Sequence, residues 1–160
     1  MTIYLATDHA GFELKEKIKK FLAKEGYKVK DFGAHSFVPT DDYPDYIALA
    51  AAAVAKNPKD RAIIFGGSGQ GEAMVANRYF GVRATVFYGA EKMLAASEGE
   101  AVESTDPYVI IRLSRLHNNA NVLSIGARFV ATEEAQEAVK LWLELEFSNN
   151  ARHLRRIKKF

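Results

Sequence analysis

The stretch Ile63-Ile64-Phe65-Gly66-Gly67-Ser68-Gly69-Gln70-Gly71-Glu72-Ala73-Met74 reads as a buried strand, a glycine-rich turn and the first turn of a helix. Working outward, similar short β-branched or aromatic runs recur at Ile3-Tyr4-Leu5-Ala6, Tyr27-Lys28-Val29-Lys30-Asp31-Phe32, Ala84-Thr85-Val86-Phe87-Tyr88 and Asn121-Val122-Leu123-Ser124-Ile125. Between the first two, Phe12, Leu14, Ile18, Phe21 and Leu22 fall near helical spacing, and Gly26 is placed to stop that helix. Further helices are expected over residues 46–56, 71–78 and 132–147, the last with Thr132 as N-cap and Glu134 close behind. This alternation predicts an α/β fold: a three-layer, Rossmann-like sheet of five parallel strands in flavodoxin-type order, with helices on both faces. Ligands in such folds sit outside the carboxyl ends of the strands. The segments to inspect are therefore Thr7-Asp8-His9-Ala10-Gly11, Gly33-Ala34-His35, Gly66 to Glu72, Gly89-Ala90 and Gly126-Ala127-Arg128.

A chain of 160 residues is long enough for one domain, and residues 1–160 read as a single unit. It contains no cysteine, so disulfide and thiolate chemistry are excluded. The opening residues form a strand pattern with no charged-then-apolar leader, and no apolar run nears the roughly 20 residues that span a bilayer. A cytoplasmic protein with no membrane partner is expected. The net charge of +2 is uneven: the last ten residues, ARHLRRIKKF, carry five Arg or Lys and no acid. Nucleic-acid binding is not expected from this tail, which has no interleaved aromatic platform. Residues 93–111, MLAASEGEAVESTDPYVII, hold four acids and no base and read as an insertion.

The glycine turn fails each motif it resembles. A Walker A loop needs Lys after its last glycine, where Glu72 stands. The G-x-G-x-x-G fingerprint matches Gly67 and Gly69 but meets Glu72 at its third glycine. The nucleophile elbow G-x-S-x-G aligns Gly66 and Ser68 but ends on Gln70. What remains is a turn whose N–H groups can converge on an oxyanion, with a carboxylate alongside. An acid in a first helical turn ordinarily just compensates the dipole. The alternative is a base whose proton abstraction creates the anion that the N–H groups stabilise.

With Asp8-His9-Ala10-Gly11-Phe12-Glu13-Leu14-Lys15, Asp42-Tyr43-Pro44-Asp45, Gly67 to Glu72, Ala76-Asn77-Arg78, His117-Asn118-Asn119-Ala120-Asn121-Val122-Leu123, Gly126-Ala127-Arg128 and Arg152-His153-Leu154-Arg155-Arg156, the chain resembles the type B ribose-5-phosphate isomerases and their galactose-6-phosphate isomerase relatives. The resemblance implies interconversion of an aldose and a ketose phosphate through an enediolate, with no metal and no cofactor. Many members use a cysteine base, and Gly66 stands at that position. A second subgroup uses the glutamate of a GSGxGE loop, which Glu72 matches.

Roles follow from the resemblance. Glu72 would move a proton between C1 and C2. The backbone of Gly67, Gly69 and Gly71, with the Ser68 hydroxyl, would hold the enediolate oxygens. His117 with Asp8 and Tyr43 would open the sugar ring, with Asn118 beside His117 contacting substrate. His9, Arg128, Arg152, His153 and Arg156 would bind the phosphate, for which arginine offers planar, often bidentate contacts. Homodimers or homotetramers with active sites shared between subunits are implied. The expected substrate pair is ribose 5-phosphate and ribulose 5-phosphate; the alternatives are a six-carbon sugar phosphate such as allose or galactose 6-phosphate, or a non-catalytic sugar-phosphate-binding protein.

Overall fold

The computed structural model describes residues 1–91, 93 and 105–160. Five parallel strands, β1 (Thr2–Thr7), β2 (Lys28–Asp31), β3 (Arg61–Gly66), β4 (Ala84–Phe87) and β5 (Val122–Gly126), form one sheet. Six α-helices accompany them among the described residues: α1 (Phe12–Lys24), α2 (Tyr43–Lys56), α3 (Gln70–Ala76), α4 (Val109–Leu116), α5 (Thr132–Glu144) and α6 (Ala151–Ile157). None is long and apolar enough to cross a membrane.

Alternate strand residues feed two cores. Ile3, Leu5, Ile63, Phe65, Leu123 and Ile125 pack under α1, α4 and α5, where Ile18, Ile111 and Trp142 meet them. Ala6, Ala62, Ile64 and Val122 pack on the other face under α2 and α3, against Ile47, Val54 and Ala76. The period of two along each strand thus gives both faces of the sheet an apolar cover. Helices on both faces are as expected.

The strand order is β2-β1-β3-β5-β4. This corrects the expected flavodoxin-type order, 2-1-3-4-5, in its last two places. Burial explains the exchange: every residue of β5 is buried, as an interior strand requires, whereas only Phe87 of β4 is. The strands run parallel, but successive crossovers leave β1 on opposite sides, to β2 and to β3, and in register Thr7 pairs Phe65 while Gly66 pairs Gly126. The carboxyl ends of β1, β3 and β5 therefore open side by side at the switch point.

Several boundaries differ from the sequence reading. α2 begins at Tyr43 with Pro44 in its first turn, a position where the missing N–H costs nothing. Ala131, not Thr132, is the N-cap of α5, and Glu134 accepts the Ala90 N–H at 2.6 Å instead of closing a capping box. Residues 109–111 belong to α4, the crossover between β4 and β5, so the end of the segment read as an insertion is part of the fold. Residues 92 and 94–104 of that reading lie outside the described residues. Asn150 caps α6 through Arg152 N–H, and Ser148 bonds the Leu116 carbonyl, which pins α6 beside the end of α4.

Beyond β2 the chain stays tied to β1, with Thr7 N–H donating to Gly33 O and Ala34 N–H to Thr7 O. Asp31 anchors this corner, accepting from Gly33 N–H and from both Lys15 and Lys19 at 2.7 Å. Burial pushes its carboxyl up, but the two ammonium groups and the Gly33 N–H hold it below its ordinary value. Lys15 is fully buried. Lys15 also meets Glu16 Oε1 at 2.7 Å, so Asp31→Asn, which removes one of its two carboxylate partners, is expected to cost about 1.5–3 kcal/mol in denaturant unfolding at neutral pH. A depressed carboxyl contributes stability above its unfolded pKa and loses it as pH falls through its native one. The gap between the two proteins should accordingly close in acid, and a pH-independent gap contradicts the ion-pair origin.

Candidate active site

A cleft of about 440 Å3 opens at the switch point, lined by Asp8, His9, Tyr43, Gly67, Ser68, Gly71, Glu72 and Arg128 together with Ala10 and Phe129. Most of these side chains follow the ends of β1, β3 and β5, while Tyr43 comes from the start of α2. Asp8 follows β1 and is buried, its Oδ1 accepting the Ala10 N–H at 2.9 Å and so capping a short helical turn over His9–Gly11. Thr7 Oγ1 donates to Phe65 O, tying this turn to β3. Past β3 and β5 the ladder continues, with Ala127 N–H donating to Gly66 O and Arg128 N–H to Gly67 O. Arg128 is thereby held against Gly67, where an added Cβ would lie 3.2 Å from the guanidinium carbon.

The β3–α3 turn needs its glycines for stated reasons. Gly69 has φ of +78°, a left-handed conformation, and its carbonyl accepts from Ser124 Oγ at 2.7 Å. A Cβ on Gly71 would lie 2.6 Å from Tyr43 Oη. A Cβ on Gly66 would lie only 1.7 Å from Glu72 Oε1. The Glu72 carboxylate thus fills the volume that any side chain at position 66 would need.

Glu72 is 4% exposed. Burial raises its pKa, its own backbone N–H pulls the other way, and the nearby Asp8 charge adds to the rise. A buried carboxyl with a raised pKa, beside a turn of backbone amides, is a stronger base than an ordinary exposed carboxylate. Ser68 Oγ accepts the Gln70 N–H at 3.3 Å, which leaves its proton for a ligand.

One chain does not gather every expected site residue. His117 ends α4, and its ring stacks on that of His153 in α6, with centroids 4.1 Å apart and planes 15° from parallel. Arg152 and Arg156 lie on the same short helix. His117 precedes β5 whereas Arg128 follows it, so a strand of roughly 16 Å separates the two groups. Asn118 lines a different, larger cleft of about 620 Å3 with Arg83 and Phe160, which holds no acidic side chain. The half containing Glu72 and the half containing His117 face opposite ends of the sheet.

Sequence reasoning missed Asp41. Its Oδ1 accepts the His9 N–H at 2.9 Å and meets His9 Nδ1 at 2.7 Å. The adjacent Asp42-Tyr43-Pro44 helix start drew the reading away from it. Asp8, His9 and Asp41 place metal-ligand atoms within 4.8 Å of one another. However, the 2.7 Å His9–Asp41 contact is a hydrogen bond, shorter than the about 3.3 Å between two ligands of tetrahedral zinc. The trio is better described as a proton-sharing group.

Comparison with known proteins agrees with the fold and the motifs. The model of the ribose/galactose isomerase family matches residues 3–160. Ribose-5-phosphate isomerase B of Mycolicibacterium paratuberculosis is 35% identical over 157 residues, covering 98% of this chain and 87% of that protein. The Escherichia coli protein of the same name is 35% identical over 156 residues, covering 98% and 91%. Among solved structures, ribose-5-phosphate isomerase B of Clostridium thermocellum superposes with a TM-score of 0.83 at 37% identity, covering 99% of this chain and 94% of that one. The Mycoplasma genitalium protein with bound ribulose-5-phosphate gives 0.84 at 34%, covering 99% and 92%.

The burial of Glu72 has a measurable cost. A carboxyl with a raised native pKa destabilises the fold at pH values where it is ionised, and that cost fades as pH falls through its native pKa. Glu72→Gln is expected to melt at higher temperature than the unaltered protein at neutral pH, with the advantage shrinking in acid. A variant less stable at neutral pH contradicts the raised pKa.

Proposed function

The chain belongs to the ribose/galactose isomerase family, and on that premise we propose that it interconverts ribose 5-phosphate and ribulose 5-phosphate with Glu72 as the proton-transferring base. The observation that carries this reading is the fit of the Glu72 carboxylate into the space left open by Gly66. By the resemblance above, many relatives place a cysteine base at position 66. A carboxylate in the same volume supplies a base to the same reacting carbons.

The steps follow from the side chains. Asp8 and His117 assist opening of the ring by moving a proton between the anomeric hydroxyl and the ring oxygen. Glu72 then takes the proton from C2 of the open aldose, and the electron pair passes through the enediolate while the charge forms on oxygen. Amides of Gly67, Gly69 and Gly71, with the Ser68 hydroxyl, meet that charge. The hydroxyl proton on O2 then passes to O1 while Glu72 returns its proton to C1, which gives the ketose with no atom gained or lost. His9 and Arg128 hold the phosphate, joined by Arg152, His153 and Arg156. The reaction is proposed to run on side chains alone, without metal or cofactor, within one domain over residues 1–160.

Because Glu72 and His117 lie at opposite ends of the sheet, a complete site requires two copies, each lending one half to the other. A homodimer, or a tetramer made of two such dimers, satisfies this with an isologous interface. Subunit mixing tests both function and assembly. Glu72→Gln and His117→Ala homomers are each expected to be nearly inactive on ribose 5-phosphate. After joint unfolding and refolding, the mixture should recover about a quarter of normal activity, since half the dimers carry one intact site of two. Failure to regain activity from correctly refolded mixtures contradicts the shared site. Allose 6-phosphate or galactose 6-phosphate turning over faster than ribose 5-phosphate would move the substrate assignment to six carbons.

A further inference from the structure

His9 is held in an unusual way for a ligand-binding histidine. One carboxylate oxygen, Asp41 Oδ1, grips both its main-chain N–H at 2.9 Å and its ring Nδ1 at 2.7 Å. Asp41 comes from the connection between β2 and α2, 32 residues along the chain. Its side chain is 8% exposed, and Oδ2 is buried without a hydrogen bond of good geometry, the neutral Tyr46 phenol interacting with this carboxylate from α2. The ring is 28% exposed, and Phe37 meets it edge-on at 6.1 Å. His9 and Arg128 both line the reaction cleft and a neighbouring cleft of about 490 Å3, so the imidazole stands in the wall between the two.

We infer that Asp41 is a positioning residue for the proposed reaction: it fixes the His9 ring with Nδ1 occupied, leaving Nε2–H as a cationic donor to the doubly charged phosphate of the substrate. The inference rests on the phosphate assignment made above and extends it to a residue that contacts no substrate. The physical reason lies in Asp41 itself. A buried carboxylate whose only other side-chain neighbour of this kind is a neutral phenol is costly unless a cation meets it, and an imidazolium at Nδ1 supplies one. A neutral ring could donate the same hydrogen bond but would leave the charge uncompensated.

The surroundings are consistent with a charged ring. The Asp41 hydrogen bond raises the His9 pKa above its ordinary value, partial burial opposes this, and Asp8 adds to the rise. On α1, Glu13 favours the cation and Lys17 opposes it; Arg128 after β5 also opposes it. Glu72 on α3 and Tyr43 on α2 share the reaction cleft with the ring. Tyr46 on α2 has its pKa raised by burial first, then by the Asp41 charge and a hydrogen bond to that carboxylate.

The consequence is a pH dependence with a definite sign. A histidine pKa raised by its partner keeps the ring charged, and anion binding strong, until pH rises through that raised value. Sulfate is the suitable probe, since its charge stays constant where phosphate would itself titrate. The His9 ring titration, followed by NMR in the unaltered protein, is expected above 6.5. In Asp41→Asn it should fall by about one pH unit or more, with sulfate bound about tenfold more weakly at neutral pH. In a His9→Gln background, adding Asp41→Asn should change sulfate affinity little. A His9 value at or below 6.5 in the unaltered protein overturns the inference without any variant. Equal weakening by Asp41→Asn with and without His9 also overturns it, because Asp41 would then act independently of the ring. None of these readings requires turnover, so a protein that fails to isomerise ribose 5-phosphate refutes the proposed function separately.

Discussion

The cleft depends on one steric constraint: the β3–α3 turn must cross the ends of β3 and β5 at backbone contact distance. Gly66 pairs with Gly126 across the ladder, Gly69 takes a left-handed conformation over Ser124, and a Cβ on Gly126 would meet Ser68 O at 2.8 Å. This close passage brings Glu72 back over Gly66 and out of water. The same crowding that buries the carboxylate raises its pKa, so packing and chemistry have a single cause here. A side chain at position 66 would require the Glu72 carboxylate to leave its present position.

A second organising feature is the division of polar residues between the two ends of the sheet. The carboxyl ends of β1, β3 and β5 carry the Glu72 carboxylate, the turn amides, His9 and Arg128. The opposite side carries the stacked His117 and His153, held together because Ser148 fastens α6 to the end of α4. Neither set contains both the buried Glu72 carboxylate and all of Arg128, Arg152 and Arg156. Two-fold assembly is the simplest arrangement that joins them.

Much of this was legible in the sequence because the signals are local. Five apolar runs, each followed by a glycine or acid, located the strand ends and with them Asp8, the glycine turn and Arg128. Strand order was not local: a run of four or five apolar residues suits an edge or an interior place, and only the full burial of β5 puts it beside β3. α4 was hidden because its apolar first turn, at Val109 and Ile111, follows an acidic segment that reads as an excursion. Asp41 was passed over because the following Asp42-Tyr43-Pro44 is a sufficient helix start by itself. Its partner lies 32 residues away, a pairing that no spacing rule suggests. The separation of His117 from Glu72 was equally invisible, since motif order along a chain carries no distance.

The most direct measurement of the central claim is isotope exchange. Ribose 5-phosphate is incubated in deuterium oxide with the unaltered protein and with Glu72→Gln, following both ketose formation and deuterium entry at C1 and C2. Loss of both by a factor of about 10^2–10^4 in the variant, with sulfate affinity retained, is the expected result for removal of a general base. Undiminished exchange in a folded Glu72→Gln protein would contradict the assignment of Glu72 and leave the Gly66 vacancy without a chemical role.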